Sequence, residues 1–139
     1  MPKISEKKYK EVILYLAQKL GGEIKGKKKL AKLLYFVDFD FFEKFQKSLT
    51  GDTYKALPMG PFPVTMEKVL ADMASEKKII IKLEKERTDY NPTEIYRVKE
   101  KSETIFSKDE RNILDRVILK YGHLNGKQLE DLTHAEAPY

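Results

Sequence analysis

The sequence predicts an α+β fold, mostly α-helical, with about five helices packed around a central aromatic helix at about 28–47 and a small β-hairpin at about 79–98. Two observations lead there. Apolar residues recur at three- and four-residue spacing in five separate stretches, and one β-branched run, "KIIIKLEKERTDYNPTEIYRVK", breaks that rhythm around a polar turn with Asn91 and Pro92. A chain of 139 residues with no internal repeat or linker fits one domain over 1–139.

The first helix places Val12, Ile13, Leu16, Ala17 and Leu20 on one face, with Ser5 as N-cap and Gly21 suited to the left-handed conformation after the last turn. "GGEIKGKKK" then interrupts it. Its lysines, Lys25, Lys27, Lys28, Lys29 and Lys32, read as a solvated loop and helix start. The central helix carries Leu30, Leu33, Leu34, Val37, Phe41 and Phe45 in one stripe, while Tyr35, Phe36, Phe39 and Phe42 fill other faces, so it should be covered on most sides.

The connector "TGDTYKALPMGPFP" follows. Gly51 and Gly60 permit tight turns and Pro58, Pro61 and Pro63 stiffen the path. Tyr54 to Leu57 is expected to join the hairpin as a third short strand. Met66, Val69, Leu70 and Met73 predict a third helix starting close to Pro63, which the connector would brace against the central one. In the last third, Ser107 and Glu110 form a capping-box pair, and Ile113, Leu114, Val117, Ile118 and Tyr121 supply a core face. Gly122 ends that helix. Asn125 and Gln128 signal one more, with Leu124 against Leu129 as a staple.

The composition excludes several kinds of chemistry. Without cysteine, disulfides and thiolate metal sites are impossible, which fits a reducing compartment, and no apolar run suggests a signal peptide or membrane span; cytoplasm is the expected location. Only His123 and His134 could supply imidazole, one before the last helix and one just past its end, too few for a metal site. No cofactor is expected. Ser5, Ser48, Ser75, Ser102 and Ser107 stand in no nucleophile-elbow context. Gly21, Gly26 and Lys27 match G-x-x-x-x-G-K, but Lys28 replaces the magnesium-holding hydroxyl and the stretch follows a helix.

Asp38 is the carboxylate that needs an explanation. Its helical neighbours Leu34, Tyr35, Phe41 and Phe42 include no base, so a buried Asp38 must find donors elsewhere, and the connector's backbone N–H groups are the expected source. That makes it a structural anchor in preference to a catalytic base. Asp40, by contrast, has Lys44 four residues on and is assigned to solvent.

The net charge of +5 comes from 27 basic and 22 acidic residues, and four of the basic ones are arginine. The last two helices could form a helix-turn-helix with the hairpin as a wing, but Glu130 and Asp131 beside Lys127 and Gln128 oppose phosphate contact, so DNA binding ranks second.

Three segments in order, "KLAKLLYFVDF", "LTGDTYKALPMGPFP" and the terminal "LTHAEAPY", resemble the Panacea domain family, also called SocA-like antitoxins or phage-associated GepA-like proteins. The resemblance runs from Lys29 to Tyr139, with Tyr139 where the family usually shows tryptophan. It implies a helical, non-enzymatic module, often carried by phages or mobile elements, that neutralises a cognate toxin by direct binding, the toxin being encoded by an adjacent gene. The family motif falls on Leu30, Leu33, Leu34, Tyr35 and Phe36, on Ala56, Gly60 and Pro61, and on His134 and Pro138. With Asp38, Tyr54 and Tyr139 these are the candidate structural or partner-binding residues. Eight tyrosines and seven phenylalanines exceed what one small core plainly needs, and exposed tyrosines would serve as anchors.

Overall fold

The computed structural model describes residues 5–85, 92–103 and 105–136. Five helices and five short strands follow one another: α1 (Glu6–Lys19), β1 (Glu23–Lys25), α2 (Lys27–Phe45), β2 (Tyr54–Leu57), β3 (Gly60–Pro63), α3 (Met66–Ser75), β4 (Ile79–Glu84), β5 (Thr93–Val98), α4 (Lys108–Tyr121) and α5 (Gly126–Glu136). The α+β, mostly helical class is as the periodicity indicates. The Asn91 turn lies outside the described residues.

Local chemistry sets the helix ends. The Ser5 hydroxyl accepts from the Lys8 amide, Ser107 and Glu110 close a reciprocal capping box, and Asn125 and Gln128 do the same at α5. Gly21 is left-handed after α1, at φ 93°. At the end of α2 the same conformation falls on a non-glycine residue, Gln46, whose N–H returns to the Phe42 carbonyl.

The helix α2 is central by its neighbours: it packs on α4, α5 and β3. Leu30, Leu33, Leu34, Phe36, Val37 and Phe41 are buried along it, and Phe36 stacks on Tyr121 of α4 at 4.0 Å between ring centroids. It is not covered on most sides, however. Phe39 and Phe42 are 42% and 51% exposed, because no described element lies over that face. The main neighbours of α3 are α1 and β4, so the connector does not chiefly brace it against α2.

The strands pair differently from expectation. Tyr54–Leu57 does not join the β4–β5 hairpin; it turns back at once on Gly60–Pro63. The third strand beside β5 is instead Glu23–Lys25, giving an antiparallel sheet in the order β1-β5-β4. Ile24 and Tyr96 face each other there and are both buried. Between flanking glycines the alternation Glu23–Ile24–Lys25 is too short to be read as a strand; its partner β5 supplies the ladder.

Prolines in β3 are tolerated because of register. The Val64 amide donates to the Thr53 carbonyl, which fixes the bonded pairs at Thr53–Val64, Lys55–Phe62 and Leu57–Gly60. Pro61 and Pro63 therefore sit where an N–H would point away from β2, and nothing is lost.

Candidate functional site

The polar residues singled out in the sequence converge on the connector between α2 and α3. Asp38, 4% exposed on the fourth turn of α2, accepts four hydrogen bonds: at Oδ1 from the amides of Leu49 and Thr50, and at Oδ2 from the hydroxyls of Thr50 (2.5 Å) and Tyr54 (2.6 Å). Burial pushes its carboxyl up from the ordinary value, while the hydroxyl and amide donors pull the other way. Two backbone amides and two hydroxyls meet its two oxygens, so Asp38 fastens the connector to α2.

A second carboxylate repeats the arrangement. Asp52, also buried, receives the Tyr9 hydroxyl at 2.6 Å from α1, and the amides of Thr53 and Thr65. The Tyr9 phenol is held neutral by burial and by the adjacent Asp52 carboxylate. Asp38 thus ties the connector to α2, and Asp52 ties it to α1 and to the start of α3. Sequence reasoning missed Asp52's role because its main partner lies 43 positions away. Replacing Tyr9→Phe removes that donor alone and should cost about 1.5–3 kcal/mol, typical of a hydrogen bond to a charged group, read as a lower denaturant midpoint at unchanged slope.

The lysine cluster is not wholly solvated. Lys32 is 1% exposed, and its ammonium donates to the Pro61 carbonyl at 3.2 Å. Pro61 is a non-bonded position of the β2–β3 ladder, so its carbonyl is turned away from β2 and free to accept from α2. Lys29 is half-buried and donates to the Gly122 carbonyl at 2.7 Å. Burial depresses the Lys32 pKa from 10.5 to about 8, opposed by Glu130 and reinforced by Lys28. The folded state releases that proton near pH 8, while the unfolded chain keeps it to about pH 10.5. Between those values the unfolded state binds more protons, so stability rises with pH. The expected result is a denaturation midpoint that increases from pH 8 to about 9, below the range in which unfolded tyrosines ionise appreciably, and that rises less in Lys32→Met.

Other motif residues divide between support and surface. Gly60, at φ 110°, makes the close approach that Lys32 and Thr133 require. Ala56 is exposed and pairs with Pro61. Tyr35 is half-buried, edge-on to Tyr54 and stacked on Phe39 at 5.7 Å. With Phe42 one turn further, Tyr35 and Phe39 form an aromatic ridge at i, i+4 and i+7. None of the described tyrosines is exposed; the exposed aromatic rings are Phe39 and Phe42. The reason is chemical: Tyr9, Tyr15, Tyr54 and Tyr96 donate their hydroxyls to carboxylates, which draws the rings inward. His134 is exposed within the last turn of α5, which runs further than its sequence signals suggest. Pro138 and Tyr139 lie outside the described residues.

Among the described residues no three His, Cys, Asp or Glu side chains could hold a metal, and no helix is long and apolar enough to cross a membrane. On α5, Lys127 pairs with Asp131, and Glu130 pairs with Lys28 of α2 at 2.8 Å. A family model described as "Antitoxin SocA-like, Panacea domain" matches residues 30–139, which includes most of α2, the connector and α5. No curated protein and no solved structure matches significantly.

Proposed function

Because the chain belongs to the SocA-like antitoxin, Panacea domain family, we propose that it neutralises a cognate toxin by binding it directly, with no catalysis of its own. The family match across 30–139 carries this reading. Two features of the molecule support it. Asp38 and Asp52 are committed to holding the connector, and the aromatic ridge on α2 that reaches solvent has the kind of side chain on which binding energy concentrates. The same reading takes the partner to be the product of an adjacent gene, the setting to be a phage or mobile element, and the location to be the cytoplasm. Co-expression tests it. The neighbouring product alone should arrest growth, this chain should restore it, and the two should co-purify; a harmless neighbour, or rescue without association, ends the proposal.

A further inference from the structure

The β1-β5-β4 sheet has one edge that is long, unpaired and supplied with exposed apolar side chains. Among the described residues nothing pairs with the outer side of β4. The Lys99 amide donates to the Lys78 carbonyl, and this sets the alternation along the strand: Ile80, Lys82 and Glu84 exchange bonds with β5, so Ile79, Ile81 and Leu83 turn their N–H and C=O groups outward. The other edges are closed or short. On β3 the outward positions are Pro61 and Pro63, which have no donor, and β1 is three residues long.

Side chains along β4 are arranged for an added strand. Ile79 is buried, Ile81 half-buried and Leu83 65% exposed, so the face that enters the core at one end emerges from it at the other. Two grooves open on that face on the β5 side of the strand, both lined in part by Glu94: one of about 230 Å³ where Ile81 meets Leu70 and Ala71, and one of about 410 Å³ where Leu83 meets Lys27 and Thr93. On the opposite face Ile80 is 39% exposed. An incoming strand would set alternate side chains beside Leu83 on one face and Ile80 on the other.

Charge selects the occupant. Lys77, Lys82 and Lys85 are exposed along this edge, and none has a carboxylate partner among the described residues, whereas the carboxylates close by, Glu76, Glu84 and Glu100, are already paired with Lys10, Lys25 and Lys78. Lysine on an edge commonly guards against self-pairing. Here a second copy of the same edge would set lysines against lysines, while a strand flanked by acids would neutralise them. We propose that the outer edge of β4 binds a partner protein by strand addition, taking an extended segment with alternating apolar residues and acidic flanks. This rests on the partner-binding reading above and adds a second contact to the aromatic ridge on α2.

Backbone amide spectra and hydrogen exchange, with two synthetic peptides as probes, test it. Glu-Val-Thr-Val-Thr-Val-Glu should saturate, slow exchange at the Ile79, Ile81 and Leu83 amides roughly tenfold or more, and leave those of Ile80 and Lys82 nearly unchanged. The counterpart with lysine at both ends should bind at least roughly tenfold more weakly. Leu83→Pro removes an outward N–H from an exposed position and should abolish binding with the fold intact by circular dichroism; Lys82→Glu, which alters no backbone group, should weaken the acidic peptide alone. Failure to saturate by about 1 mM, equal binding of both peptides, or protection centred elsewhere overturns the proposal. In the co-expression assay Leu83→Pro should lose rescue. Full rescue by that folded variant sinks the edge and spares the antitoxin reading, while a harmless neighbour sinks that reading and leaves the peptide result standing.

Discussion

Asp38→Ala is expected to lower stability by about 3–5 kcal/mol, because two amides and two hydroxyls lose their buried acceptor at once. For a chain of this size that corresponds to a fall of roughly 10–20 °C in melting temperature. Helical content below the transition should survive, since α2 keeps its apolar stripe. Asp38→Asn keeps the volume and one acceptor oxygen, and the two hydroxyls can rotate toward other acceptors, so its loss should be smaller, about 1–3 kcal/mol. Thermal melts of both variants check this. A melting temperature for Asp38→Ala within a few degrees of the parent would show that the connector is held by something else.

Gly60→Ala is expected to cost about 2–4 kcal/mol, from backbone strain and displacement of a buried ammonium together. The residue sits at φ 110°, where side chains are strongly disfavoured, and a Cβ there would land on the Lys32 Nζ and come within 3.0 Å of the Thr133 hydroxyl. The lysine tip is flexible but has nowhere dry to go, because it is sealed between α2, β3 and α5. Combining the change with Lys32→Met separates the two causes. The double variant should recover the part due to the collision and keep the part due to φ, so the two changes should not be additive in a denaturant cycle.

What could be read in the sequence was what is decided within a few residues. Ser5, the Ser107–Glu110 box and the Asn125–Gln128 pair act across three positions, and each stands where the sequence places it. Asp38 was legible for a related reason: the absence of a base among its helical neighbours implied donors from the next segment, 11 and 12 positions on. Lys32 was not legible, since its burial depends on a carbonyl 29 positions away and on α5, and a lysine inside a run of lysines looks solvated. The strand β3 was hidden by its own prolines, which count against a strand until the register is known. Phe39 and Phe42 were read as covered because a sequence reports apolar character but not which neighbour is missing.

The two carboxylate clamps also change what a protease meets. Between Gln46 and Met66 runs a stretch without helix that contains exposed Lys47 and Lys55, each followed by a residue that permits tryptic cleavage. Cleavage needs an extended stretch of chain to leave its seat. Leu49 and Thr50 are fastened to α2, Asp52 to α1, and Tyr54 to the same oxygen that holds Thr50, so no few residues around either lysine can lift away alone. Exposure at the lysine tips is therefore misleading: the segment should be cut only when α1 and α2 let go of it, and its survival in trypsin should report that release.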